Sequence, residues 1–261
     1  MDLGIAGRNA VVTGGSLGIG YATAHELVAN GANVVLIARN RERLEQNAGT
    51  LRASGSGHIV TVAADLAKTE DVERAMKAAQ ASLGPIDILV NNAGSTPAGG
   101  LELADDIWQK SFDLKLMGYV RAARALLPTM IERKWGRIIN VIGLGAYQAN
   151  PQYLAGGAIN ASLLAVTRTL ARTVAHAGVT VNGINPGPTA TPRFNDLVRQ
   201  RAAKYGKSVE EEVAASMSKV PMGRPGTPEE CAALIAFLAS ERAGYISGAL
   251  VGIDGAASVG L

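Results

Sequence analysis

One cysteine, Cys231, stands in 261 residues, which excludes a disulfide scaffold and any cysteine-rich zinc or iron–sulfur site. Histidine is almost as scarce: His25, His58 and His176 are scattered without ligand spacing, so no metal is expected. Aromatic residues make up only 4%, and the core must therefore be built from Ala, Val, Ile and Leu. No basic block occurs; 25 Lys and Arg against 22 Asp and Glu leave a dispersed +3, which argues against a nucleic-acid partner. Met1 to Ala10 lacks the basic-then-apolar layout of a signal peptide, and the apolar runs read as far short of a membrane span. The expectation is a cytoplasmic protein with neither nucleic acid nor membrane as partner.

What is abundant is aliphatic side chain and glycine, with 48% hydrophobic residues and 31 Gly. Val- and Ile-rich runs recur at Asn9–Val12, Asn33–Ala38, His58–Ala63, Ile86–Asn91, Arg137–Ile142, Val179–Ile184 and Ala249–Ile253, and read as buried parallel strands. Helical spacing fills the intervals: Ile19–Asn30, Arg41–Ala53, Thr69–Leu83, a long stretch Asp105–Arg133, about Pro151–His176, and Pro228–Ser240. Strict alternation predicts an α/β fold, one seven-stranded parallel sheet with crossover helices on both faces. No repeat or linker divides the chain, so residues 1–261 read as one domain. The charged, helical segment Thr189–Val220 interrupts the alternation at the carboxyl edge of the sheet and reads as a lid, or as a decorative helix pair.

The first strand runs into Thr13-Gly14-Gly15-Ser16-Leu17-Gly18-Ile19-Gly20 and then into a helix. Glycines at Gly14, Gly18 and Gly20 permit a tight turn and let backbone N–H groups approach a pyrophosphate at the positive helix end; the alternative is a mere strand–helix junction. After the second strand an acidic residue would bind the adenosine ribose hydroxyls, but the chain reads Ala38-Arg39-Asn40. A guanidinium there suits a 2′-phosphate, favouring NADP(H) over NAD(H), unless Arg39 simply opens a solvated helix.

Asp65-Leu66, Asn91-Asn92-Ala93-Gly94, Asn185-Pro186-Gly187 and Ile253-Asp254-Gly255 follow in order. With the Gly-rich turn, they make the whole chain resemble the short-chain dehydrogenase/reductase family. The resemblance implies a single-domain Rossmann fold and commonly a homotetramer. It implies that Ser16, Leu17 and Ile19 belong to the cofactor turn, and Asp65 and Leu66 to the adenine. Asn92, Ala93 and Gly94 would line the adenosine side, and Pro186, Gly187, Thr189 and Thr191 the nicotinamide end.

Most members of that family carry an Asn-Ser-Tyr-Lys tetrad. Counting from flanking motifs, these positions fall at Lys115, Gly143, Gly156 and Asn160, and no Tyr-x-x-x-Lys occurs anywhere. Lys and Asn look exchanged between 115 and 160. Tyr153 lies seven residues before Asn160, a placement similar to that of the tyrosine in divergent enoyl reductases of the same superfamily. Tyr153 is therefore the expected proton donor or polariser, with Lys115 and Asn160 supporting it and Tyr147 the weaker candidate. The competing expectations are a ring packed at a helix start for Tyr153 and a salt-bridged or solvated residue for Lys115.

Two further readings stand beside an oxidoreductase acting on a carbonyl, alcohol or activated alkene. One is an NADP(H)-binding pseudoenzyme or sensor; the other is a non-redox lyase or hydrolase on the same scaffold. Gly143, Gly145, Gly156 and Gly157 imply a roomy pocket floor or closer helix packing. The lid bases Arg193, Arg199, Arg201, Lys204 and Lys207 would suit an anionic substrate or an acyl carrier, although a charge run is usually a solvated face.

Overall fold

The computed structural model describes residues 2–258. Seven strands form one sheet: β1 (Asn9–Thr13), β2 (Asn33–Ala38), β3 (Ile59–Ala63), β4 (Ile88–Asn91), β5 (Gly136–Val141), β6 (Val179–Pro186) and β7 (Leu250–Ile253). Their spatial order is β3-β2-β1-β4-β5-β6-β7, and every neighbouring pair is parallel. Because side chains alternate along a strand, each strand feeds two cores. Val12, Val34 and Leu36 enter one with Leu27, Val28, Leu44 and Ile235. Val11, Val35 and Ile37 enter the other with Met76, Leu126, Met130 and Val174.

The first core is covered by α1 (Gly18–Ala29), α2 (Arg41–Arg52) and α9 (Pro228–Leu238), the second by α3 (Thr69–Leu83), α5 (Gly118–Glu132) and α6 (Leu154–Val174). The chain crosses from one half of the sheet to the other between β1 and β4, and there the carboxyl ends of the strands open a crevice. The interrupting segment is helical, as expected: α7 (Pro192–Tyr205) and α8 (Val209–Met217). Its starts are capped locally, with the Thr191 hydroxyl accepting from the Phe194 N–H and Ser208 forming a capping box with Glu211.

Three sequence expectations need correction. The stretch Asp105–Arg133 is not one helix: α4 (Asp105–Phe112) passes into a π-helical turn at Asp113–Met117 before α5. The second concerns Pro151–Tyr153, which precedes α6 rather than opening it. The Gly99 N–H donates to the Gln152 carbonyl (2.8 Å) and the Leu154 N–H to the Gly99 carbonyl (3.1 Å), so this segment is spent on a bridge to Gly99. The third concerns apolar length. The helical stretch Leu154–Ala177 has 24 residues and holds an 18-residue window of mean hydropathy 1.2, long and apolar enough to cross a membrane. Ile159, Leu163, Thr167, Ala171 and Val174 along it are nonetheless buried within the domain.

Candidate active site

Two adjoining cavities occupy the crevice, and both include Gly94. The first, about 610 Å³, is lined by Gly14, Ser16, Leu17, Arg39, Leu66 and Ala93, all singled out in the sequence, and by Asn40 and Arg43, which were not. Arg39 and Arg43 form no ion pair among the described residues. Their four-residue spacing across the start of α2 was readable, but only once that start was known.

The cradle is built for backbone approach. Gly14 has φ +65°, and a Cβ on Gly20 would run into the Gly14 carbonyl. The Asn92 amide donates to the carbonyls of Thr13 (3.0 Å) and Gly14 (3.2 Å), while the Thr13 hydroxyl accepts from the N–H groups of Asn92 (2.9 Å) and Ala93 (3.1 Å). These bonds hold the turn after β1 against β4 at the crossover. A glycine turn, a helix N-terminus and two unpaired arginines together fit a phosphorylated dinucleotide.

Gly18, Gly20, Asp65, Thr189 and Thr191 line neither cavity. The Asp65 carboxylate accepts from the Ala67 N–H (3.2 Å), and Thr189 donates to the Gly187 carbonyl (3.0 Å). Gly18 lies beside Thr191, where a Cβ would stand 3.0 Å from the threonine methyl.

The second cavity, about 410 Å³, is lined by Ile19, Asn92, Pro186 and Gly187 on the cofactor side and by Lys115, Gly143, Tyr153 and Asn160 opposite. Lys115 comes from the π-helical turn, whose extra residue per turn alters the phase of the helix at the site. Gly94 leaves room for it: a Cβ there would stand 2.8 Å from Lys115 Cδ. The Lys115 ammonium nitrogen donates to the Ile142 carbonyl (2.5 Å) and to Asn160 Oδ1 (2.8 Å). It is 8% exposed and has no carboxylate partner among the described residues, whereas Asp113 pairs with Arg121 instead (3.0 Å). Neither a salt-bridged nor a solvated lysine describes it. Burial, aided by the nearby Arg193 charge, lowers its pKa to about 7.

Tyr153 is half-buried, and a Cβ built on Gly156 would run into its ring. The ring thus occupies the space into which a side chain at 156 would project. It also covers Gly145, whose Cβ would meet ring carbons at 3.0 and 3.1 Å. Tyr147 does not line the cavity. Tyr119 is a further buried phenol nearby, but it donates to the Val141 carbonyl (2.9 Å), and burial raises its pKa far above the ordinary value.

A polar ladder links β4, β5 and α6. The Asn91 amide donates to Asn140 Oδ1 (3.0 Å), and the Asn140 amide donates to Thr167 (2.9 Å). Above the cavity, α7 supplies Arg193, Leu197 and Arg201. Arg193 donates to the Ser95 hydroxyl (2.6 Å) and the Thr96 carbonyl (3.0 Å), tying α7 to the loop after β4.

The family profile described as enoyl-(acyl carrier protein) reductase matches residues 14–258. The chain is 32% identical to dehydrogenase/reductase SDR family member 4 of Caenorhabditis elegans, over 95% of this chain and 94% of that protein. It is 34% identical to the 3-oxoacyl-[acyl-carrier-protein] reductase FabG of Salmonella typhimurium, over 95% and 96% of the two chains. L-Sorbose reductase of Gluconobacter frateurii, solved in complex with NADPH and L-sorbose, superposes with a TM-score of 0.95 at 35% identity, covering 100% of both chains. Sequence, sheet order and crevice agree: the chain belongs to the short-chain dehydrogenase/reductase family.

Proposed function

We propose that the protein is an NADP(H)-dependent oxidoreductase acting on a carbonyl, alcohol or activated alkene through a rebuilt active site, with Tyr153 exchanging the proton and Lys115 and Asn160 supporting it. The carrying observation is that the Tyr153 ring fills the space in front of Gly156, facing a cavity that adjoins the cofactor crevice. A site merely stripped of its tetrad has no need of a tyrosine there, nor of a lysine buried at the expense of its charge. NADP(H), when bound, supplies or accepts the hydride.

Bound NADP(H) would be held by Arg39 and Arg43 at its 2′-phosphate, by the turn at Gly14 and Ser16 at its pyrophosphate, and by Pro186 and Gly187 at its nicotinamide end. In the reducing direction the substrate oxygen takes the Tyr153 phenolic proton as its carbon becomes tetrahedral. Lys115 lines the same cavity and stabilises the resulting phenolate when protonated; Asn160 holds its Nζ in place through Oδ1. The apolar surroundings of Val141, Ile142 and Leu144 limit water around the developing charge.

The test is a panel of ketones, enones and alcohols followed through NADPH absorbance. Tyr153→Phe and Lys115→Ala are each expected to lower kcat by roughly 100-fold or more, as loss of proton transfer does, while NADPH binding persists by fluorescence. Turnover unchanged in both variants refutes the assignment. A cytoplasmic location and a homotetrameric assembly belong to the same proposal.

A further inference from the structure

The lid bases divide by helix phase. Arg193, Leu197 and Arg201 follow one another at four-residue steps along α7, so they share one face, and all three line the second cavity. The other bases of the run look elsewhere. Arg199 pairs with Asp196 (2.9 Å), Lys204 donates to Gln152 (3.1 Å), and Lys207 lies beyond the end of the helix.

Two half-buried guanidiniums thus face a cavity whose lining holds no aspartate or glutamate and whose third basic group is Lys115. Neither arginine has an acidic partner among the described residues. Arg193 spends part of its fork on Ser95 and Thr96, and Arg201 forms no hydrogen bond within the described part of the chain. Glu102, which shares an adjoining cleft with Arg201 and Lys204, accepts from the Gly100 N–H (3.0 Å) and makes no ion pair with Arg201. The 2′-phosphate end of the cofactor crevice has its own arginines, Arg39 and Arg43, in the other cavity. Leaving two cations partly desolvated beside a lysine is unfavourable unless an anion completes the set.

We propose that the substrate of this site is an oxo acid or the corresponding hydroxy acid, its carboxylate held by Arg193 and Arg201 while its carbonyl lies at Tyr153. The inference rests on the hydride-transfer reading above and names its substrate class. A guanidinium fork matches a carboxylate in two parallel hydrogen bonds, and Leu197 between the two arginines offers an apolar surface for the intervening carbons. The carboxylate also offsets the Arg193 charge that disfavours protonation of Lys115, so substrate binding would favour the protonated lysine.

The experiment uses the full chain with a series of oxo acids, pyruvate, 3-oxobutanoate, 4-oxopentanoate and 5-oxohexanoate, each beside its methyl ester. Binding is read by calorimetry in the presence of NADP+, and turnover with NADPH. For at least one spacing, the acid is expected to exceed its ester at least tenfold in both affinity and kcat/KM. Arg201→Met, which removes no internal hydrogen bond, is expected to cut that ratio tenfold or more, chiefly through KM. Arg193→Met should do the same. Esters that bind as well as acids, or ratios unmoved by Arg201→Met, overturn the proposal, as does a loss of NADPH affinity in both variants with the acid preference intact. Acids that bind selectively without any NADPH oxidation would instead refute the hydride-transfer reading while leaving the acid site standing.

Discussion

Gly156 matters for the side chain it does not have. Tyr153 and Gly156 are three residues apart, on either side of the start of α6, and the ring of the first lies where the Cβ of the second would be. Gly156→Ala should therefore displace the ring. The expected outcome is a destabilisation of about 1–3 kcal/mol from overpacking, together with at least a tenfold fall in kcat; thermal denaturation and turnover measure the two. An unaltered kcat would mean that the ring position is not used. Lys115 makes a second prediction. Its folded pKa, about 7, lies below the ordinary lysine value of 10.5, so between those limits the unfolded chain binds more protons. Stability contributed at this site must then rise with pH across that window and be at its lowest below it, where a buried charge is carried in full. In the cofactor-free protein, the advantage of Lys115→Met in urea should be greatest near pH 6 and fall by up to about 1.4 kcal/mol per unit above pH 7. Parallel stability curves would contradict the burial of an unpaired amine.

At the scale of elements, function sits at junctions. The start of α2 places Arg39 and Arg43 at a helix N-terminus, where the dipole disfavours cations, and only Glu42 offsets them within the first turn. An anion between the two arginines would resolve that conflict, as the proposed 2′-phosphate site requires. Arg39→Ala combined with Arg43→Ala should weaken NADPH at least tenfold by fluorescence titration while changing NADH affinity far less; an equal loss for both would deny the 2′-phosphate role. The π-helical turn between α4 and α5 is a second such junction. Continuous helical spacing over Asp105–Arg133 concealed it, because hydrophobic periodicity barely registers one residue added to a turn. The helical segment over the second cavity is the third. Its charge run was ambiguous until the phase of α7 separated the inward Arg193 and Arg201 from Arg199 and Lys204.

The whole molecule is a sheet whose strands serve two cores at once, and the crevice follows from the crossover between β1 and β4. Between α5 and α6 a further, mostly apolar hollow reaches down to Ile138 and Asn140 of β5 and is lined above them by Val120, Leu127, Val166 and Leu170. Its closure by another copy of the chain is part of the homotetramer proposal, and light scattering is expected to report four chains; a monomer would refute it. Strand positions, the crossover architecture and the glycine turn after β1 were legible in the sequence, as was an arginine at the end of β2, because alternation, glycine and charge act over a few neighbouring residues. Tertiary structure alone decided the rest: Lys115 meets Asn160 across 45 residues, Arg193 reaches Ser95 across 98, and Tyr153 turns onto Gly156 because a bridge to Gly99 holds back the start of α6. Periodicity says which face of an element is buried. Which distant atoms that burial brings together depends on the packing of all the elements.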